Sequence, residues 1–453
     1  MTDTDISSSN TFDRDMELDR LENVARDILQ QAARKGGTQA EVSAHSSQGL
    51  AVTVRMGEVD ILEHTRDSGI GLTVYKGRSK GHASCADLSE GSIRECVERA
   101  IDIASFTQED SSNGLAEADQ LASEFPDLDL WHPSVLDAEA AINRALEIEA
   151  AGRSDQRITN SEGASVEAGF GISVYGNSHG FIGRNSGTRY SQNCVLIAGA
   201  GENMQRDYSW DSARRLEDLE DAEKTGAEAA HRTIRRLGAR KIDTAEMPVL
   251  MTPEVARGVI GHLIGAVSGS ALYRNASFLK DSAGQQLFPE WLLITERPHL
   301  IRGQGSASFD SDGVATRDRN LVDAGVLTGY VLSTYSARRL GLETTANAGG
   351  MRNVTLEPGG EGSDSPIKSI DHGLLVTEVM GQGVSMVTGD YSRGAAGFVI
   401  ENGELVYPVE EVTIASNLRD MFAGIRLAGA DIDLRGNIRT GSILIDRMMV
   451  AGQ

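Results

Sequence analysis

The feature that most constrains this chain is a change of hydrophobic period. Residues 15–37, DMELDRLENVARDILQQAARKGG, set Met16, Leu18, Leu21, Val24, Ala25, Ile28 and Leu29 on one helical stripe that stops at Gly36-Gly37. The period then falls to two. AEVSAHSS, GLAVTVRMG, EVDILEHT, SGIGLTVYKG and SKGHASCA are short alternating runs separated by Gly, Ser and Asp. Half-buried strands read this way, whereas strands of a parallel sheet covered on both faces read as continuous apolar runs. An antiparallel meander is predicted, followed by a second helix, SEGSIRECVERAIDIASF, with Ser89 as its cap.

The order helix, meander, helix recurs. DAEAAINRALEIEAAG reads as a helix, RITNSEGASVEAGFGISVYGNSHGFIG as strands, and DLEDAEKTGAEAAHRTIRRLG as a helix again. GLTVYKGRSKGHA from Gly71 and GISVYGNSHGFI from Gly171 share a strand, a Gly/Ser turn and a second strand carrying histidine. We read an internal duplication over 15–110 and 130–238. The expected organisation is a disordered tail over 1–14, an N-terminal α+β domain over 15–240 and a strand-rich C-terminal domain over 241–453. In the last, GYVLSTYSARRLG, LLVTEVMG, AAGFVIENGELVYPVEEVTIA and GSILIDRMMVAG read as strands, with a hairpin turn at Asn402-Gly403. The fold class is α+β.

Fifty glycines against nine prolines suit such turns. The formal net charge of -23 opposes nucleic-acid phosphates and an anionic membrane. Three separated cysteines, Cys85, Cys96 and Cys194, fit a reducing cytosol. The polar, acidic start is no secretory signal, and no apolar run reaches the roughly 18 residues of a membrane span. A soluble, cytoplasmic protein is expected.

Local motifs supply little chemistry. PGGEGSDS, GQGSAS and GQGVSMVTGDYSRGAAG lack the GKS or GKT ending of a phosphate loop. GRSKG around Ser79 and GNSHG around Ser178 match G-x-S-x-G, but in strand-to-strand turns, where a nucleophile elbow needs a strand running into a helix. The nine histidines stand singly, with no HExxH and no Cys/His cluster, and zinc needs at least three convergent ligands. RGVIGHLIGAVSG, from Arg257 to Gly269, reads as a helix through Val259, Ile260, Leu263, Ile264 and Val267, with the lone His262 upon it. VTGDYSRGAAG gathers Asp390, Tyr391, Ser392 and Arg393 in a glycine-framed loop. It reads either as a peptide or partner contact, or as a turn in which Asp390 accepts backbone N–H bonds and Arg393 pairs with a carboxylate.

The run from SALYRNASFLKDSAGQQLFPEW to STYSARRLGL, the segment VTEVMGQGVSMVTGDYSRGAAGFVIENGELVYPVEEVTIASNLRDM and the closing RGNIRTGSILIDRMMVAGQ resemble the PmbA/TldE branch of the TldD/TldE metallopeptidases, also called modulators of DNA gyrase. The resemblance covers essentially the whole chain beyond the tail. It implies a two-domain fold and a cytosolic heterodimer that cleaves small or unfolded peptides, with roles in trimming a peptide-antibiotic leader and degrading an antitoxin. In the TldD-type partner, it implies zinc held by an HExxxH helix and a later cysteine in G-N-C, with the glutamate as general base.

Laid on this chain, the first histidine of HExxxH falls on Arg257, the glutamate on Gly258 and the second histidine on His262. The cysteine falls on Ile438 of GNI. Where many relatives read HAGGIHNW, this chain reads NAGGMRNV, with Asn347 and Arg352 at the histidine positions. The expectation is a subunit that binds no zinc itself and supports a zinc-bearing TldD-type partner around peptide substrates, with no nucleic acid and no membrane. A homodimer of the isolated chain is left open. The alternatives are a peptidase using a site around His262 and Asp390, or a non-proteolytic adaptor that binds gyrase.

Overall fold

The computed structural model describes residues 12–452 apart from Val135. Most of the expected tail therefore lies outside the described residues. Asp13 already caps the first helix, its side chain accepting from the Met16 N–H. The helix α1 spans Arg14–Arg34 and buries Leu18, Leu21, Ala25, Ile28 and Ala32. Met16, placed on the buried stripe by its spacing, is exposed.

The strands β1 (Gln39–Arg55), β2 (Glu58–Lys76) and β3 (Ser79–Cys85) follow, then α2 (Glu90–Phe106). Five predicted runs have become three strands. Gly49 and Gly69, read as punctuation, are absent from the positive-φ positions, which fall instead at Met56 (55°), Gly57 (82°) and Gly77 (62°). The polar residues between the runs stay extended. Ser89 caps α2 by accepting from the Ser92 N–H, as its position predicts.

The same order repeats in α3 (Ala138–Gly152), β4 (Ile158–Asn177), β5 (Ile182–Ala198), β6 (Gln205–Ala213) and α4 (Ala222–Ile234). The six strands form one sheet in the order β3-β2-β1-β4-β5-β6, so the two meanders join through their first strands. Both G-x-S-x-G stretches lie between consecutive strands, at the β2–β3 and β4–β5 connections. In α4, Gly226 has no room for a side chain: a Cβ there would lie 2.0 Å from the Ile148 carbonyl oxygen of α3. That glycine is what lets the two helices touch.

Beyond residue 240 come β7 (Ala245–Met251), α5 (Pro253–Ala266), α6 (Gly269–Tyr273), β8 (Ile294–Glu296), β9 (Arg319–Asp323), β10 (Val326–Leu327), α7 (Thr334–Leu340) and β11 (Val354–Leu356). They are followed by β12 (His372–Met380), β13 (Asp390–Glu401), β14 (Glu404–Asn417), α8 (Leu418–Ala423), β15 (Ile425–Ala428), β16 (Ile438–Arg439) and β17 (Ile443–Ala451). One sheet runs β14-β13-β12-β7-β17-β15, and β14 pairs again with β17, so five strands close on themselves. A second sheet runs β10-β9-β8-β11-β16. The turn Asn402-Gly403 joins β13 to β14 with φ of 50° and 76°, as the dipeptide predicts.

One predicted strand is corrected. In GYVLSTYSARRLG the residues from Thr334 form α7, opened by a capping box between Ser333 and Ser336 and closed by Gly341 at φ 67°. Ala, Arg and Leu between a serine cap and a left-handed glycine favour a helix over alternation.

By contacts the chain forms two compact units. One comprises residues 12–48, 65–121 and 170–187, and the other 49–64, 122–169 and 188–452. The second holds the largest core, in which the α5 residues Val255, Ala256, Val259, Ile260, Leu263 and Ala266 pack with β7, β12 and β17.

Candidate functional site

The α5 helix turns its apolar face into that core and leaves Glu254, Arg257, Gly258, Gly261 and His262 on the other. Pro253 opens it at a position where the missing N–H costs nothing.

Arg257 donates from Nη2 to Asp433 Oδ2 at 2.7 Å. Arg435 grips the same carboxylate in a fork, with Nε to Oδ1 at 2.8 Å and Nη2 to Oδ2 at 3.1 Å. Both guanidiniums lie over the Trp210 ring, Arg435 at 4.4 Å and Arg257 at 5.6 Å from its centroid. Arg435 also reaches Glu254 Oε1 at 3.4 Å, and Arg232 donates to that oxygen at 2.9 Å. Burial raises the pKa of Asp433, but hydrogen bonds from Arg435 and the charges of Arg435 and Arg257 outweigh it and hold the carboxyl below its usual range. Glu254 is likewise lowered, against its burial, by Arg232 and Arg435. The cluster is a lattice of three arginines and two carboxylates, in which each acid is shared by two of the cations.

Gly436 abuts Arg257: a Cβ there would sit 3.3 Å from Nη1. The GNI turn and the first HExxxH position are therefore neighbours. Ile438 packs partly buried against the main core. At Gly258 a Cβ would meet nothing within 4 Å, so the space for a longer side chain is open. Neither a guanidinium nor an aliphatic chain offers a lone pair to a metal. Among the described residues no group of three or more His, Cys, Asp or Glu is placed to hold a metal ion.

His262 lies elsewhere on the face. Its ring meets Tyr391 edge-on, centroids 6.0 Å apart, and its buried Nε2 has no hydrogen-bond partner. Burial, then the nearby charge of Arg393, lowers its pKa, so the imidazole is neutral.

The expected loop at 390–393 is instead the first part of β13, because the turn before it ends at Gly389 (φ 83°). Asp390 accepts from Thr388 Oγ1 at 2.6 Å and Asn417 Nδ2 at 3.3 Å, both side-chain donors. Tyr391 is 3% exposed and belongs to the core. Ser392 is exposed, and its N–H donates to the Gly383 carbonyl. Arg393 reaches the Val379 and Met380 carbonyls at 3.4 Å, with no carboxylate partner among its hydrogen bonds.

Asn347 and Arg352 anchor a buried acid. Asn347 Nδ2 donates to Glu296 Oε1 at 2.8 Å, and the Arg352 N–H donates to the same oxygen at 2.7 Å. Arg319 Nε takes Oε2 at 2.7 Å. Close by in sequence, Asp310 is pushed up to about 6 by burial and by Asp312, against three backbone N–H bonds.

Sequence reasoning missed Asp433, Arg435, Glu254, Arg232 and Trp210. Only the D-L-R-G spacing just before GNI hinted at a local ion pair.

A fold of this kind, with such a helix facing a G-N turn, is that of a metallopeptidase family in three parts. Family models for the PmbA/TldA metallopeptidase domain 1, central domain and C-terminal domain match residues 40–104, 131–237 and 244–452. The chain belongs to the PmbA/TldD metallopeptidase family. It is 45% identical to the Metalloprotease PmbA of Escherichia coli O157:H7, across 96% of each chain. To the Metalloprotease PmbA homolog of Haemophilus influenzae it is 44% identical, across 93% of this chain and 94% of the relative. A structure from Bacteroides thetaiotaomicron, named as a modulator of DNA gyrase, shares the fold with a TM-score of 0.91 at 28% identity, covering 96% of this chain and 99% of that one. TldE from Thermococcus kodakarensis shares the fold with a TM-score of 0.81 at 19% identity, over 95% of this chain and 100% of that one.

Proposed function

We propose that this chain is the supporting, PmbA/TldE-type subunit of a cytosolic heterodimeric zinc metallopeptidase acting on small or unfolded peptides. The zinc and its general base belong to a TldD-type partner, and this chain completes the chamber around them. Leader trimming of peptide antibiotics and antitoxin turnover are the substrate classes we assign. The observation that carries the reading is the Arg257–Asp433 ion pair at 2.7 Å, a cation engaged where metal coordination would require an imidazole. Among the described residues no helix is long and apolar enough to cross a membrane. We likewise read 15–240 as a duplicated N-terminal α+β domain and 241–453 as the C-terminal domain, a division that the limits of the matched family models support.

The experiment is hydrolysis of an unstructured reporter peptide by the purified chain, with and without the zinc-bearing partner, each with and without a chelator. The expected result is no cleavage by the chain alone and chelator-sensitive cleavage with the partner. Chelator-sensitive cleavage by the chain alone overturns the reading and favours an independent peptidase. His262 is separated from such a role by its packing on Tyr391, and Asp390 by its engagement with Thr388 and Asn417.

A further inference from the structure

The strand β3 and the helix α2 are joined by residues 86–89 alone, and the helix folds back on the strand. Along β3 the side chains alternate: Ser79, Gly81 and Ala83 are buried, and Lys80, His82 and Ser84 are exposed. That period puts Cys85, the last residue of the strand, on the inner face. On α2 the buried face carries Cys96, Ala100 and Ala104, each one turn from the next. The two faces touch at Gly81, where a Cβ would run into the Ala100 carbonyl oxygen and the Ala104 amide nitrogen. Because the chain reverses between them, moving from Gly81 to the end of the strand moves back along the helix, from Ala100 to Cys96. Helical side chains lean towards the helix start, which carries the Cys96 sulfur towards Cys85. The two thiols are in side-chain contact. Cys96 is 3% exposed, Cys85 is half-buried and open to solvent, and both are free thiols.

We propose that Cys85 and Cys96 form an oxidant-responsive pair, in which a hydroperoxide oxidises Cys85 and Cys96 resolves the product into a disulfide that staples α2 to the end of β3. In the first step the Cys85 sulfur attacks the peroxide, the O–O bond breaks, and the leaving oxygen departs with the thiol proton as an alcohol or water. Cys85 is then a sulfenic acid. In the second step the Cys96 sulfur attacks the Cys85 sulfur, the S–O bond breaks, and hydroxide leaves with the Cys96 proton as water. Two thiols give up two electrons and the peroxide takes them. The order follows from the surroundings. Burial, then the charge and contact of Cys85, pushes the Cys96 thiol up to about 12, so it is inert towards an oxidant that reaches the surface. The part of that shift owed to Cys85 vanishes once Cys85 is a neutral sulfenic acid, while Arg99, which acts in the opposite sense, stays in place. Cys194 is an internal control: fully buried, pushed up to about 12 by burial and then by Glu149, with no second thiol beside it. In a reducing compartment such a link is transient, as redox-responsive disulfides are.

The test exposes the purified full-length chain, reduced and freed of reductant, to hydrogen peroxide, then alkylates it and maps it by mass spectrometry, alongside Cys85→Ser and Cys96→Ser. The assay uses neither peptide nor zinc-bearing partner, so its outcome is independent of the subunit reading. The wild type is expected to fall from three alkylatable thiols to one, with Cys85 cross-linked to Cys96 inside a single chain and Cys194 untouched. A dithiol is expected to restore all three. Cys96→Ser lacks the resolving sulfur, so its Cys85 is expected to stop at the sulfenic acid and take up dimedone. Cys85→Ser is expected to keep Cys96 reduced. Thermal melting shows whether each variant is folded, and the wild-type map decides the matter without them. Retention of every thiol by the wild type under peroxide that consumes free cysteine, a cross-link to Cys194 or between two chains, or loss of the Cys96 thiol in a folded Cys85→Ser would each overturn the proposal.

Discussion

Arg257 and Asp433 show how a single charge can redefine a site. The Asp433 side chain is 5% exposed and faces two guanidiniums, each 27% exposed. The two members of the Arg257–Asp433 pair are not equivalent. Removing Arg257 leaves the carboxylate gripped bidentately by Arg435, and Arg257→Ala is expected to cost about 1 kcal/mol. Removing Asp433 leaves two cations side by side, and Asp433→Ala is expected to cost about 3 kcal/mol, the lower end of the range for breaking a buried pair because both arginines can still reach water. Chemical denaturation of the two variants gives the order. Since the folded pKa of Asp433 lies below its ordinary 3.8, its contribution is fully present at neutral pH. It fades only as pH falls below that value toward the folded pKa. Equal losses for the two variants at pH 7 would refute the asymmetry.

At the scale of elements, local chemistry told more than periodicity. The Ser89 cap of α2 and the Asn402-Gly403 turn are legible because each meets a backbone demand with one or two residues. The full length of β1 and β2 is not legible in the sequence, because their glycines and serines resemble turn residues while the ladder continues through them. In the segment of α7 the apolar Val331 and Leu332 mimic a strand, while the helical signal lies in Ser333 and Gly341. Its cap gives a direct test. Ser333 accepts from the Ser336 N–H, and Ser333→Ala is expected to destabilise the chain by about 1 kcal/mol, with Ser333→Asp close to wild type. Loss of the same size in both variants, read by thermal melting, would locate the cost in packing rather than capping. The candidate site itself was half legible: helix α5 and the GNI turn were named, but Asp433 and Arg435 matter through a fold that brings residues 176 positions apart into contact.

For the molecule as a whole, the recurrence of helix, three strands and helix raises the question of what ties two similar halves together. One answer is a single acid. Tyr75, from β2, and Tyr175, from β4, occupy corresponding places in the two GxxVY segments and are buried, at 4% and 8% exposed. Tyr75 donates to Glu41 Oε1 at 3.0 Å and Tyr175 to Glu41 Oε2 at 2.9 Å. A carboxylate with two oxygens thus serves one phenol from each repeat, which no alternation pattern reveals because the match lies a hundred residues apart. Tyr75→Phe and Tyr175→Phe should each cost about 1–2 kcal/mol, as bonds to a charged acceptor do. Glu41→Ala should cost more than either, since it removes both hydrogen bonds at once. The discriminating measurement is the cycle. On the Glu41→Ala background each Tyr→Phe change should cost less than in the wild type, by a coupling on the order of 1 kcal/mol between that tyrosine and the shared acid. If the three substitutions instead add, Glu41 is an incidental neighbour, and other links such as the pairing of β1 with β4 hold the halves.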